Sequence, residues 1–139
     1  MNLGKIKKAI RKTLSEKEEI IASYLYGSFI NRKYFRDLDV GLLINDTYKP
    51  NVLYEARISG ELEIALKPIF DNFKTIDVRI LNDKPLSFLF SVLKNSELIF
   101  SKNESKRVKF EADIIKKYLD IKPHYELYNK MRRLRYANR

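Results

Sequence analysis

Asp37 and Asp39 stand one residue apart at the head of a run, Asp37 to Ile44, that is otherwise apolar or glycine. Such a run reads as a buried strand. Successive side chains on a strand point to opposite faces, so both carboxylates must share one face while Leu38, Val40 and Leu42 share the other. Two carboxylates held that close repel each other unless a cation lies between them. The pair therefore constrains the fold and the chemistry together. A sheet must bury one face of this strand and leave acidic groups at one end of the other.

The neighbouring segments supply partners for that strand. Residues 18–26 carry Ile20, Ile21, Tyr24, Leu25 and Tyr26, a second β-favouring run, broken by Gly27-Ser28. Residues 75–81 alternate, with Ile76, Val78 and Ile80 on one side and Asp77 and Arg79 on the other, as a half-buried strand does. Glu97 to Phe100 suits a short edge strand. Helical spacing is expected over residues 3–14, from about Val52 to Phe73 with Gly60 and Pro68 bending or dividing the helix, and over residues 85–94. A further helix, capped by Asn103 or Ser105, runs to about Leu119. Asp120 to Pro123 is expected to interrupt it before a final basic helix. The prediction is an α+β fold in one domain over residues 1–139: a small mixed sheet, helices mainly on one face, and C-terminal helices.

Composition narrows the chemistry. With no Cys and the single His124, thiolate zinc sites, disulfides and multi-histidine sites are excluded. Any bound metal must then be held by carboxylates, which favours Mg²⁺ or Mn²⁺. No stretch is long and apolar enough to span a bilayer, and a cytoplasmic protein is expected. The formal net charge of +10 sits at the two ends, residues 1–12 and 122–139, while the middle balances. Basic ends suit nucleic acid, an acidic partner, or plain solvation. Tyr118, Tyr125, Tyr128 and Tyr136 fall at roughly helical spacing and read as core or interface packing.

The candidate site residues are Gly27, Ser28, Asp37, Asp39 and Asp77. Gly27 lets backbone approach a phosphate closely, and the amide and hydroxyl of Ser28 can bond to it. Asp77 adds a third carboxylate if its strand pairs beside the first, although a surface pair with Arg79 is its bland alternative. Three carboxylates can hold two metal ions.

Gly27-Ser28, then Asp37 and Asp39 at a strand start, then Asp77 on a later strand, resemble the polymerase β-like nucleotidyltransferase superfamily, most closely its minimal nucleotidyltransferases (MNT). The stretch from Pro85 to Phe100, then Phe110 and Tyr118 to Pro123, is similar to the C-terminal part of MNT antitoxins paired with HEPN toxins. The resemblance implies a metal-dependent transfer of AMP from ATP to a tyrosine hydroxyl of a HEPN toxin. It assigns Asp37, Asp39 and Asp77 to metal binding and catalysis, and Gly27 and Ser28 to the nucleotide's phosphates. The segment between Gly27 and Asp37 departs from the family pattern, with Ile30, Asn31 and Arg32 after the turn and Arg36 before the acids; Lys33 or Arg36 would then contact phosphate. A homo- or hetero-oligomer is expected. Two rival readings stand beside this one: an inactive antitoxin that masks its partner by binding alone, and a nucleic-acid-binding module using the basic ends.

Overall fold

The computed structural model describes residues 3–27, 37–69 and 75–137, the side chains of 136 and 137 excepted. The elements run α1 (Leu3–Ser15), β1 (Ile20–Tyr26), β2 (Asp37–Ile44), α2 (Tyr54–Leu66), β3 (Thr75–Ile80), α3 (Leu86–Lys94), β4 (Ser96–Ser101) and α4 (Glu104–Ala137). The architecture is α+β. Four strands form one mixed sheet in the order β3-β2-β1-β4. β1 pairs antiparallel with β2 and β4, while β2 and β3 run parallel. A parallel pair needs a crossover, and α2 supplies it.

The strand alternation decides which helices go where. Leu38, Val40, Leu42 and Ile44 of β2 and Ile76 and Val78 of β3 face α1 and α2, which bury Ile6, Ile10, Leu14, Ile58, Leu62 and Leu66 against them. The other face holds a smaller core, where Tyr24, Tyr26 and Leu43 meet Leu89 and Val92 of α3 and Ile114 of α4. A bulge between Ile20 and Ala22 exchanges the two faces. Ile20 lies in the first core, and Ala22, Tyr24 and Tyr26 in the second.

Two helix boundaries differ from expectation. α2 ends at Leu66, just before Pro68, which has no N–H to continue the ladder. Its buried row is Tyr54, Ile58, Leu62 and Leu66; Leu53 and Ile69 are exposed, and Phe73 lies outside the described residues. Gly60 sits inside the helix without dividing it. α4 is one continuous helix through Pro123, not two. Proline there removes one hydrogen bond, but residues 119–135 are all exposed, so water can take the freed carbonyl. Asn103 is the cap: its Oδ1 accepts from Lys106 N at 3.0 Å.

Tyr54, buried at the start of α2, donates its hydroxyl to Glu19 Oε2 at 2.7 Å. Tyr54→Phe leaves that carboxylate without its donor, and chemical denaturation should show a loss of about 1.5 kcal/mol, the scale of a hydrogen bond to a charged group. An unchanged midpoint would mean that solvent replaces the bond fully.

Candidate active site

The register of the three strands sets one row across the sheet on the α3 side. Tyr26 of β1 stands opposite Asp39 of β2, and Asp39 stands opposite Asp77 of β3. Neighbouring strands lie about 4.8 Å apart, so the second and third carboxylates are held side by side by backbone alone. Asp37, two residues before Asp39, shares its face and pairs in register with Thr75, whose Oγ1 donates to Asp37 Oδ1 at 2.9 Å. Thus the three aspartates singled out from sequence occupy one end of one face.

Gly27 closes the row from the β1 side. Its φ of +93° is the only positive φ among the described residues, a conformation that side chains with a Cβ seldom adopt. A Cβ there would stand 2.1 Å from Asp39 Oδ2. The glycine therefore shapes a cradle that the Asp39 carboxylate fills. Ser28, Lys33 and Arg36 lie outside the described residues.

The electrostatics of the row are unbalanced. Burial, then the negative charges of Asp77 and Asp37, raise the Asp39 carboxyl above its ordinary value, with Arg79 working the other way. Arg79 Nε donates to Asp77 Oδ2 at 3.0 Å, and its guanidinium lies 5.5 Å from the ring centre of Phe88 on α3. The surface pair weighed as the alternative for Asp77 is therefore present in the same place as the carboxylate row. Among the described residues no three acidic, His or Cys side chains are gathered closely enough to hold a metal ion. Asp37 and Asp39 suit a hard divalent cation by their oxygen donors and shared face; Asp77 shares that face, with its Oδ2 engaged by Arg79.

Tyr26 is a site residue that its sequence context did not single out. Its side chain is buried, 8% exposed, and packs edge-on against Phe88 at 6.0 Å between ring centres. Its hydroxyl has no hydrogen-bond partner among the described residues. Burial, then the charge of Asp39, holds the phenol well above the ordinary tyrosine range, so it stays a neutral donor beside the acids. Only the β1–β2 register reveals this, because the bulge near Ile21 hides which way the tyrosines face.

A raised Asp39 pKa means that the ionised carboxylate opposes folding. Stability from this group is full below the ordinary value of 3.8 and is lost as pH rises through the raised folded value. Asp39→Asn should therefore raise Tm at pH 7 by roughly 2–4 °C without divalent cation, and calorimetry should find the gain gone below pH 3.8. A lower Tm for the variant at pH 7 would contradict the repulsion.

A groove of about 660 Å³ lies elsewhere, between α1 and α2, lined by Lys5, Lys8, Lys12 and Lys17 with Glu16 and Glu61. None of the five candidate residues lines it. No helix among the described residues is long and apolar enough to cross a membrane.

Residues 8–105 match the family described as Polymerase beta, Nucleotidyltransferase. No curated protein sequence matches the chain. Among solved structures, the chain is similar to one of tri-AMPylated Shewanella oneidensis HEPN toxin in complex with MNT antitoxin, at 16% identity, TM-score 0.68, covering 90% of this chain and 93% of that one. It is also similar to a toxin–antitoxin structure with AMP-PNP, at 17% identity, TM-score 0.67, covering 94% and 97%. The toxin–antitoxin MntA–HepT structure matches at 15% identity, TM-score 0.67, covering 90% and 94%. At these identities the likeness is one of fold, whereas the family match spans most of the chain. The chain belongs to the polymerase beta nucleotidyltransferase family.

Proposed function

We propose that this chain transfers AMP from ATP to a tyrosine hydroxyl of a HEPN-type partner protein, as the antitoxin of a toxin–antitoxin pair. The observation that carries the reading is the row Tyr26–Asp39–Asp77 with Gly27 seated against Asp39, in a chain of the nucleotidyltransferase family. The solved structures of similar fold include an AMPylated HEPN toxin with its MNT antitoxin and a complex with AMP-PNP, which supports the partner and the nucleotide.

Asp37 and Asp39, joined by Asp77, would hold Mg²⁺ or Mn²⁺, which neutralises triphosphate charge when bound. Gly27 would let its backbone approach the β- and γ-phosphates without a Cβ in the way, and Ser28 would bond to them through its amide and hydroxyl. The acceptor oxygen forms a bond to the α-phosphorus, the bond from that phosphorus to the bridging oxygen breaks, and pyrophosphate leaves. The proton of the acceptor hydroxyl passes to Asp77 after Arg79 releases it. Arg79 can then turn toward phosphate oxygens, to which guanidinium bonds well.

The test is direct. The chain is incubated with α-labelled ATP, Mg²⁺ and, as the candidate partner, the product of the neighbouring gene. Label should move to the partner, and the Asp37→Asn, Asp39→Asn double variant should abolish this. No transfer by the wild-type chain sinks the reading. Partner neutralisation that survives loss of all three aspartates would establish masking by binding alone.

A further inference from the structure

The long helix α4 is covered over only part of its length. Ile114 is buried, and Tyr118 stacks on Phe90 of α3 with ring centres 3.7 Å apart and planes within 6°. Every residue from 119 to 135 is exposed. Yet the row that packs in the first half does not stop. At alternating steps of three and four from Tyr118 come Ile121, Tyr125, Tyr128, Arg132 and Arg135. That is the three-four spacing of a coiled-coil seam. Ile121, Tyr125 and Tyr128 are 38%, 44% and 64% exposed, and Met131, beside them, is 59% exposed. A helical tail of this length, with Pro123 within it, gains little stability in water by itself. Apolar surface so arranged marks an interaction site.

Charge indicates what covers it. The seam ends in two arginines, and residues 119–139 contain only Asp120 and Glu126 as acids. Neither lies in the seam, and Glu126 already pairs with Lys122 on its own helix at 3.9 Å. A second copy would therefore offer Arg132 and Arg135 no carboxylate in its own seam, and side by side it would set like charges together. We infer that the exposed seam of α4 docks a helix of a partner protein whose apolar row ends in carboxylates. This rests on the proposed function in taking the HEPN-type protein as that partner, and it assigns the docking to α4 rather than to the aspartate row.

Binding of the full chain to a HEPN-type protein, taken from the product of the neighbouring gene, is measured by calorimetry at 0.15 M salt, with circular dichroism confirming that each variant keeps its helix. The Tyr125→Ser, Tyr128→Ser double variant should weaken binding at least tenfold. The Arg132→Glu, Arg135→Glu double variant keeps good helix formers and should weaken it at least tenfold at low salt and less at high salt. Lys130→Glu, on the far side of the helix, should stay within twofold of wild type. Wild-type affinity in both double variants overturns the proposal, as does absence of wild-type binding. Sedimentation showing that the same substitutions instead split a dimer of this chain overturns it in favour of a second copy. Asp39→Asn should bind normally while failing to transfer AMP. Tight seam-dependent binding with no AMP transfer would leave the docking intact and remove the enzymatic reading.

Discussion

Asp39→Asn is expected to lower AMP transfer by roughly 10³-fold or more, the scale of losing a charged group that acts on the transition state. The variant should nevertheless be the more stable protein without divalent cation at neutral pH. Asp39 is half-buried, and burial first, then the charges of Asp77 and Asp37, raise its pKa against Arg79. The amide keeps the shape and removes the repulsion. Single-turnover assays with labelled ATP should therefore lose signal while thermal melts improve. Added Mg²⁺ should raise the wild-type Tm and leave the variant nearly unmoved. A variant as active as wild type would remove Asp39 from the site altogether.

Gly27→Ala is expected to be the most damaging change that adds no charge and removes none. Two penalties coincide at this residue. Its φ of +93° is strained for any side chain with a Cβ, costing about 1–2 kcal/mol. The new methyl also meets Asp39 Oδ2 at 2.1 Å, so the carboxylate has to move by more than contact distance allows in place. A displacement of about 1 Å at a reacting centre costs on the order of 100-fold in rate. Melting curves and transfer rates should fall together here, whereas in Asp39→Asn they move apart. Should Gly27→Ala keep wild-type rates, the turn does not set the position of Asp39.

Much of this site was legible before any coordinates. The alternation of Ile76, Asp77, Val78 and Arg79 marked a half-buried strand, and Asp37-Leu38-Asp39 required two acids on one face. Residue type and period suffice for that. What they do not encode is which strands lie side by side. The pairing of Asp39 with Asp77 depends on the β2–α2–β3 crossover, and that of Asp39 with Tyr26 on the β1–β2 register. Likewise the engagement of Asp77 by Arg79 was one of two open readings, and the ion pair is present in the structure. Proline at position 123 signalled a break, because local preference takes no account of an exposed helix that water can repair. The segment from Ser28 to Arg36, where the sequence departs from the family pattern, lies outside the described residues.

The strand order carries one more consequence. β2 is an inner strand, laddered on both sides, while β3 is at the margin of the sheet and, among the described residues, pairs only with β2. Asp37 and Asp39 thus ride on a strand whose amides should exchange with solvent only on global unfolding, and Asp77 on one that opens sub-globally at lower cost. Two of the carboxylates are anchored and the third is adjustable. Hydrogen exchange should register nucleotide arrival as slowed exchange in β3, with little change in β2.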